Sequence, residues 1–310
     1  MSATTARGDA NARAALGAAL ALGGVLLGAA DGAGHMARTW ASSPTYNHGA
    51  LVPLVSAGLV WLGWRPGERL TGWTLPLGGV AAGALLYVVG AVGEARLFQH
   101  AGVAGMIACA GAAVMGCAAA WRHRFALGFL LLMVPFGEGL VPLLREVTAR
   151  GVMAGAALFG VPALRDGMLI RVPAGDFEVA EACAGLRFVV ASLVTGVLCA
   201  HLFFTTRVKQ VAMILAAALV PVAANAVRAA GIVLVAEATD MRVAAGADHL
   251  VYGWVFFALV TGAVVWVAYR QAEPGAPRLP DPAPRPGPDP LVTGAAAGAI
   301  GLACALPGLA

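Results

Sequence analysis

"EACAGLRFVVASLVTGVLCAHLFF", residues 181–204, reads in two halves. From Ala184 onward the side chains are almost all apolar or small over about 20 positions, the length and composition that cross the hydrocarbon core of a bilayer as a helix. In front of that run a carboxylate (Glu181), a thiol (Cys183) and a guanidinium (Arg187) crowd into seven positions. A membrane protein keeps such a group at the edge of an apolar helix where it does chemistry or binds an ion. The fold class then depends on how much of the remaining chain resembles the apolar half.

Most of it does. Of 310 residues, 60% are hydrophobic and 12% charged, with a mean hydropathy of +0.81, far above the values of a soluble domain. The expected fold is an all-α polytopic membrane protein. The net charge of +4 comes from basic residues scattered over short loops, which is a topology signal and argues against a nucleic-acid surface. No basic n-region, short apolar core and cleavage site open the chain, so its first apolar stretch is expected to be a retained span.

Apolar runs of spanning length fall at 14–30, 50–64, 73–92, 101–121, 125–142, 184–204, 211–231 and 250–269, which predicts eight transmembrane helices. Pro135, Glu138 and Pro142 mark the outer half of the fifth as kinked or unwound. Alternate loops hold Arg65 and Arg69, Arg122 and Arg124, Arg207 and Lys209, then Arg270, each beside a span end, so that side is expected to be cytoplasmic. The segment 143–183 then lies outside the membrane. Its first part, with Arg145, Glu146 and Arg150, is expected along the surface or re-entering, and "GMLIRV" and "FEVAEA" around Pro173–Asp176 predict a small extracytoplasmic hairpin before Cys183.

Domain organisation is read as a multi-spanning unit over 1–270, a proline-rich linker over 271–290, and a marginal apolar segment over 291–310 that is a possible ninth span. Cys109, Cys117, Cys199 and Cys304 sit inside apolar runs and behave as small buried hydrophobes. Cys183 alone has charged neighbours. No CxxC pair or metal-type spacing occurs, so no metal and no cofactor is expected.

Three polar residues from successive helices converge on one depth. Cys183 stands at the outer start of the span 184–204, where unpaired N–H groups and the positive helix end stabilise a thiolate. Arg228 stands some 17 residues along the next span, roughly 25 Å up from the cytoplasmic side at about 1.5 Å per residue. A cation there costs about 2.5 to 3.5 kcal/mol on the insertion scale. Asn225 shares its helical face. His249 falls just before the span starting at 250, again outside. A nucleophile, a fixed cation and a titratable base within reach are the parts that thiol-based acyl transfer needs.

Four blocks carry a resemblance. "EACAGLRFVVASL" (181–193), "VPVAANAVRAAGIVL" (220–234) and "GADHLVYGWVFFALV" (246–260), with "SPTYNHGALVPLVS" (43–56) upstream, resemble the signature regions of the exosortases, and of the exosortase A type most. The resemblance runs over roughly 36–270, in order and with similar spacing. It implies a multi-pass protein of the bacterial inner membrane that acts as a cysteine protease or transpeptidase on exported proteins, at its periplasmic face. Those substrates carry a C-terminal Pro-Glu-Pro motif, one transmembrane helix and a basic tail. The resemblance assigns the catalytic set to Cys183, Arg228 and His249. The serine that usually follows the motif cysteine is Ala184 here, a small-for-small change.

The implied chemistry is attack by Cys183 on a peptide carbonyl near the motif, with a thioester acyl-enzyme resolved by water or by an envelope amine or hydroxyl. The implied partners are the anchored exported proteins, membrane lipid and a glycan or lipid acceptor linked to exopolysaccharide export, with no nucleic acid. Arg228 has two open roles, oxyanion stabilisation and binding of the substrate glutamate. Arg187 is a further anion-binding candidate, or pairs with Glu181 or Glu178. Asn225 is expected to orient Arg228, and Tyr46 and His48 to shape the site or to form an interfacial belt and cap. The rival readings are a membrane transporter and a non-catalytic component of exopolysaccharide assembly. Clean span centres with polar groups gathered at one face favour surface chemistry over a permeation path.

Overall fold

The computed structural model describes residues 20–64, 74–241 and 248–275, leaving aside the side chains of 74, 248–252 and 254. The expected linker beyond 275 and the apolar segment 291–310 lie outside the described residues. Two compact units divide between Phe136 and Gly137.

The first unit holds α1 (Leu20–Gly28), α2 (Ala30–Ser42), α3 (Leu51–Gly63), α4 (Thr74–Val92), α5 (Arg96–Met115), α6 (Cys117–Arg122) and α7 (Arg124–Phe129). α4 and α5 form a tight antiparallel pair joined by only three residues. A Cβ on Gly102 would lie 2.7 Å from the Gly83 carbonyl oxygen and from the Tyr87 backbone nitrogen, so only glycine lets these backbones meet. The outer face of α4 leaves Leu75, Leu85 and Val92 exposed, an arrangement that lipid satisfies and water does not. On the other side of the unit, Trp40 Nε1 donates to the Met133 carbonyl (2.9 Å) and Tyr46 Oη to that of Phe136 (3.1 Å), satisfying backbone that Pro135 keeps out of a helix.

The second unit holds α8 (Val141–Leu158), a three-stranded antiparallel sheet of β1 (Leu164–Asp166), β2 (Leu169–Val172) and β3 (Gly175–Glu178), then α9 (Leu186–Phe203), α10 (Arg207–Ala238) and α11 (Asp248–Arg270). The β2–β3 register pairs Val172 with Gly175, so the turn is the dipeptide Pro173–Ala174, and β1 is a third strand that the sequence pattern did not announce. Ile170 of β2 is fully buried against Ala149 and Val152 of α8 and Val233 of α10. Polar ties hold the sheet down. Arg145 Nε donates to the Val179 carbonyl (2.7 Å), Arg165 pairs with Glu146, and the Ala174 N–H donates to Glu237 (2.9 Å).

Helix contacts in this unit run through small residues. Cβ atoms built on Gly151 and Gly155 of α8 would stand 2.6 and 2.7 Å from Ala226 and Ala230 of α10, and one on Gly196 of α9 would meet Ala217. Without a hydrophobic force between helices in lipid, this close backbone approach is what gives them contact area. Opposite the sheet, Glu273 closes the unit. Its carboxylate accepts from the backbone N–H groups of Thr205 (2.7 Å) and Thr206 (2.8 Å), which lead into α10, and pairs with Lys209 (2.8 Å).

The described residues bear out only part of the expected count of eight spans. Among the described residues four helices are long and apolar enough to cross a membrane, Leu75–Val92, Arg96–Met115, Glu181–Phe203 and Arg207–Ala238. Two pairs separated by short breaks, Leu20–Gly28 with Ala30–Ser42 and Arg124–Met133 with Glu138–Leu158, raise the number to six if each pair is one crossing. The expected 50–64 span is the 13-residue α3, roughly 20 Å long and short of the hydrocarbon thickness. The first apolar stretch turns by 88° between α1 and α2. The fourth ends at Gly116, whose φ of 79° breaks the helix before α6. The fifth is interrupted between Met133 and Glu138, where Pro135 and the left-handed Gly137 stand. The segment from 141, expected along the surface or re-entering, is an 18-residue helix packed on α10.

Candidate active site

Cys183 closes a single 3-10 turn, Glu181–Cys183, held by Cys183 N–H to the Ala180 carbonyl (2.9 Å) and Ala184 N–H to that of Glu181 (3.0 Å). Gly185 follows in the left-handed region (φ 79°) and caps α9, so the thiol stands two residues ahead of the helix cap rather than at the start of the helix itself. Half-buried, Cys183 packs on the cluster of Ala149, Val152, Ile170 and Val233, which joins α8, the sheet and α10. The sheet thus forms the floor beneath the cysteine turn.

One residue ties that turn to the neighbouring helix. Asn225 of α10, 2% exposed, donates from Nδ2 to the Cys183 carbonyl (2.9 Å) and to Thr148 Oγ1 of α8 (3.1 Å). Its Oδ1 accepts from Arg228 Nη2 (3.1 Å), one helical turn on. Thr148 passes the chain back to its own helix by donating to the Leu144 carbonyl (2.8 Å). The approach is close because Gly185 has no side chain: a Cβ there would lie 2.6 Å from Asn225 Cγ.

Arg228 is half-buried, within electrostatic reach of the Cys183 sulfur and of Arg187. Its guanidinium lies over the Phe188 ring at 5.6 Å, and that of Arg187 over the same ring at 4.8 Å. The Nε atoms of both arginines are buried without a hydrogen-bond partner. Arg228 borders a cleft lined by Phe188, Pro221, Asn225, Phe256 and Phe257, with Phe188 stacked on Phe257 at 4.7 Å. Pro221 removes one backbone N–H from α10 on this face, a break that a membrane helix tolerates where neighbours cover it.

α11 comes against Arg228 at Gly253, where a Cβ would stand 3.5 Å from Nη1. Position 249 lies one turn earlier in the same helix, and its side chain lies outside the described residues. The unit therefore brings Cys183, Asn225, Arg228 and Arg187 together and carries the backbone of His249 on the adjoining helix. Arg187 makes no ion pair with Glu181 or Glu178; Glu178 instead faces Arg145 at 3.7 Å, and Glu181 is exposed. Tyr46 and His48 belong to the other unit. Tyr46 is buried, and burial pushes the His48 imidazole below its ordinary pKa against a backbone hydrogen bond at Thr45.

Sequence reasoning missed Thr148 and the aromatic lining. Thr148, Gly151 and Gly155 form a small-residue stripe at helical spacing, the signal for a face pressed against another helix, but the charged residues around it suggested a segment along the surface or re-entering. Phe188, Phe256 and Phe257 look like any lipid-facing aromatics until the helices are packed.

A family model described as transmembrane exosortase matches residues 40–266, well over half of the chain. This chain belongs to the transmembrane exosortase family. The matched range covers the cysteine turn, the Asn225–Arg228 pair and the start of α11. No curated protein and no solved structure matches this exosortase.

Proposed function

We propose that this exosortase is a membrane cysteine peptidase or transpeptidase that cuts the C-terminal Pro-Glu-Pro sorting signal of exported proteins at the outer face of the bacterial inner membrane. One observation carries the reading: Asn225 binds the carbonyl of Cys183 and the guanidinium of Arg228 at once, holding a thiol and a cation beside a single cleft. A transporter or an assembly scaffold has no need of that coupling.

In the proposed reaction the Cys183 sulfur attacks a backbone carbonyl carbon of the substrate, and its proton passes to a base, for which His249 is the candidate. Negative charge grows on the carbonyl oxygen and Arg228 offsets it. When the C–N bond breaks, the leaving amine takes the proton from His249 and departs with the transmembrane tail, leaving a thioester on Cys183. Water, or an amine or hydroxyl of the envelope, then attacks the thioester carbon, gives up its proton, and restores the thiol. Hydrolysis or anchoring follows from which nucleophile arrives, and linkage to exopolysaccharide export belongs to this reading. The basic residues at Arg207 and Lys209 support a cytoplasmic position for that end of α10, and hence an outer one for Cys183.

The test is co-expression with a tagged Pro-Glu-Pro anchored protein and mass measurement of its C-terminus. Processing by the native chain and none by Cys183→Ala is expected. An intact tail in the presence of the native chain, or equal processing by the variant, refutes the proposal.

A further inference from the structure

The two arginines beside Phe188 present an unbalanced charge. Arg187 and Arg228 interact electrostatically with each other, and among the described residues no carboxylate pairs with either. Elsewhere in the unit Arg145 pairs with Glu178, Arg150 and Arg165 with Glu146, Arg171 with Asp176 and Lys209 with Glu273, while Arg207 binds the Gln210 amide and Arg270 lies over Trp266. Two neighbouring guanidiniums with buried, unsatisfied Nε–H groups repel one another and lose hydration, and the Phe188 ring quadrupole offsets only part of this. An anion entering between them would remove both costs. The guanidinium fork fits a planar carboxylate best.

We infer that Arg187 and Arg228, stacked on Phe188, form a seat for the carboxylate of an acidic side chain in the bound peptide. Arg228 is shared between this seat and the reacting carbonyl, whereas Arg187, on the far side of the turn's glycine cap, serves the seat alone. The inference rests on the proposed function only for the position of the reacting bond.

The test separates the two. Full-length protein carrying Cys183→Ala, which turns nothing over, is placed in nanodiscs. Binding is measured for a fluorescent peptide with a Pro-Glu-Pro segment, an apolar helix and a basic tail, and for its Pro-Gln-Pro counterpart. The acidic peptide is expected to bind ~10-fold or more tightly than the amide, the size of one charge-assisted contact. That preference should vanish with Arg187→Gln and persist in part with Arg187→Lys. Repeating the titration in phosphatidylcholine alone and with added phosphatidylglycerol asks whether a lipid phosphate occupies the seat instead.

Equal binding of acid and amide in both membranes overturns the inference. So does a preference that survives Arg187→Gln, or a loss of both peptides' binding on adding anionic lipid without any acid preference in its absence. Should Arg187→Gln fail to fold, the acid-to-amide comparison on Cys183→Ala and Arg187→Lys still decides. Acid preference without processing by the native chain would sink the peptidase reading and leave the seat; processing without acid preference would do the reverse.

Discussion

Asn225 and Cys183 are joined through the cysteine's backbone, not its sulfur: the Asn225 amide nitrogen donates to the Cys183 carbonyl oxygen at 2.9 Å. The thiol is left free to react while its main chain is fixed to α10. The same amide holds Arg228 and Thr148, so one buried side chain sets the relative positions of a turn and two helices. Only an amide does this, since it offers donors and an acceptor together.

Asn225→Ala removes all three bonds and leaves the Cys183 carbonyl and the Arg228 guanidinium without this partner. A loss of ~1–3 kcal/mol in stability is expected. Peptide processing should fall further than stability accounts for, because the cation is no longer aimed. Thermal unfolding in detergent alongside processing measures both, and unchanged processing would remove the positioning role.

Gly185→Ala meets two obstacles. Its φ of 79° disfavours a side chain, and the new Cβ would press on Asn225 at 2.6 Å. Strain of ~1 kcal/mol or more is expected from the backbone alone. The alkylation rate of Cys183 should change as Asn225 is pushed off, measured with a maleimide in a variant lacking the other cysteines.

The α8–α10 seam tolerates no bulk. Gly155→Val would drive a side chain into Ala230, already 2.7 Å from a bare Cβ, and is expected to cost ~1–3 kcal/mol. Gly231→Ala, with open space around it in the same α10, should be neutral or stabilise by up to about 1 kcal/mol. Melting temperatures of the two variants in one detergent give the contrast.

Glu273 makes stability depend on acidity. Its hydrogen bond to Lys209, then those of Thr206 and Thr205, hold its carboxyl well below the usual carboxylate range. The folded pKa is thus lower than the unfolded one, so the clasp contributes fully above about pH 4.3 and is lost as pH falls toward the folded value. Glu273→Gln should lower the melting temperature at pH 7 and leave a shrinking difference as pH falls below the pKa of an ordinary carboxyl. A constant difference down to strongly acid pH would contradict the assignment.

Arg228→Gln distinguishes two duties of one side chain. Loss of oxyanion stabilisation lowers kcat by roughly a hundredfold or more. Loss of substrate anchoring raises KM with kcat largely preserved. A fall in kcat is expected to dominate, and kinetics on a processed reporter peptide reads the split.

The membrane character and the approach of Arg228 to Cys183 were legible in the chain itself. Cys183 stands about 22 residues before the turn at 205 and Arg228 about 23 after it. Two antiparallel helices rising ~1.5 Å per residue must therefore bring these positions to one depth. Periodicity, apolar run length and charge are local properties, and local chemistry is enough to read them. Pro135 and Glu138 announced the break at Gly137, but the number of crossings was not legible, because hydropathy does not register the break at Gly116 or the 88° turn after α1. Nor could the chain alone reveal that Thr148 lies against Asn225, that two arginines share Phe188, or that Glu273 caps α10. Each of these contacts depends on how far one helix is rotated and how closely small residues let it approach another, and that is set only when the whole bundle packs.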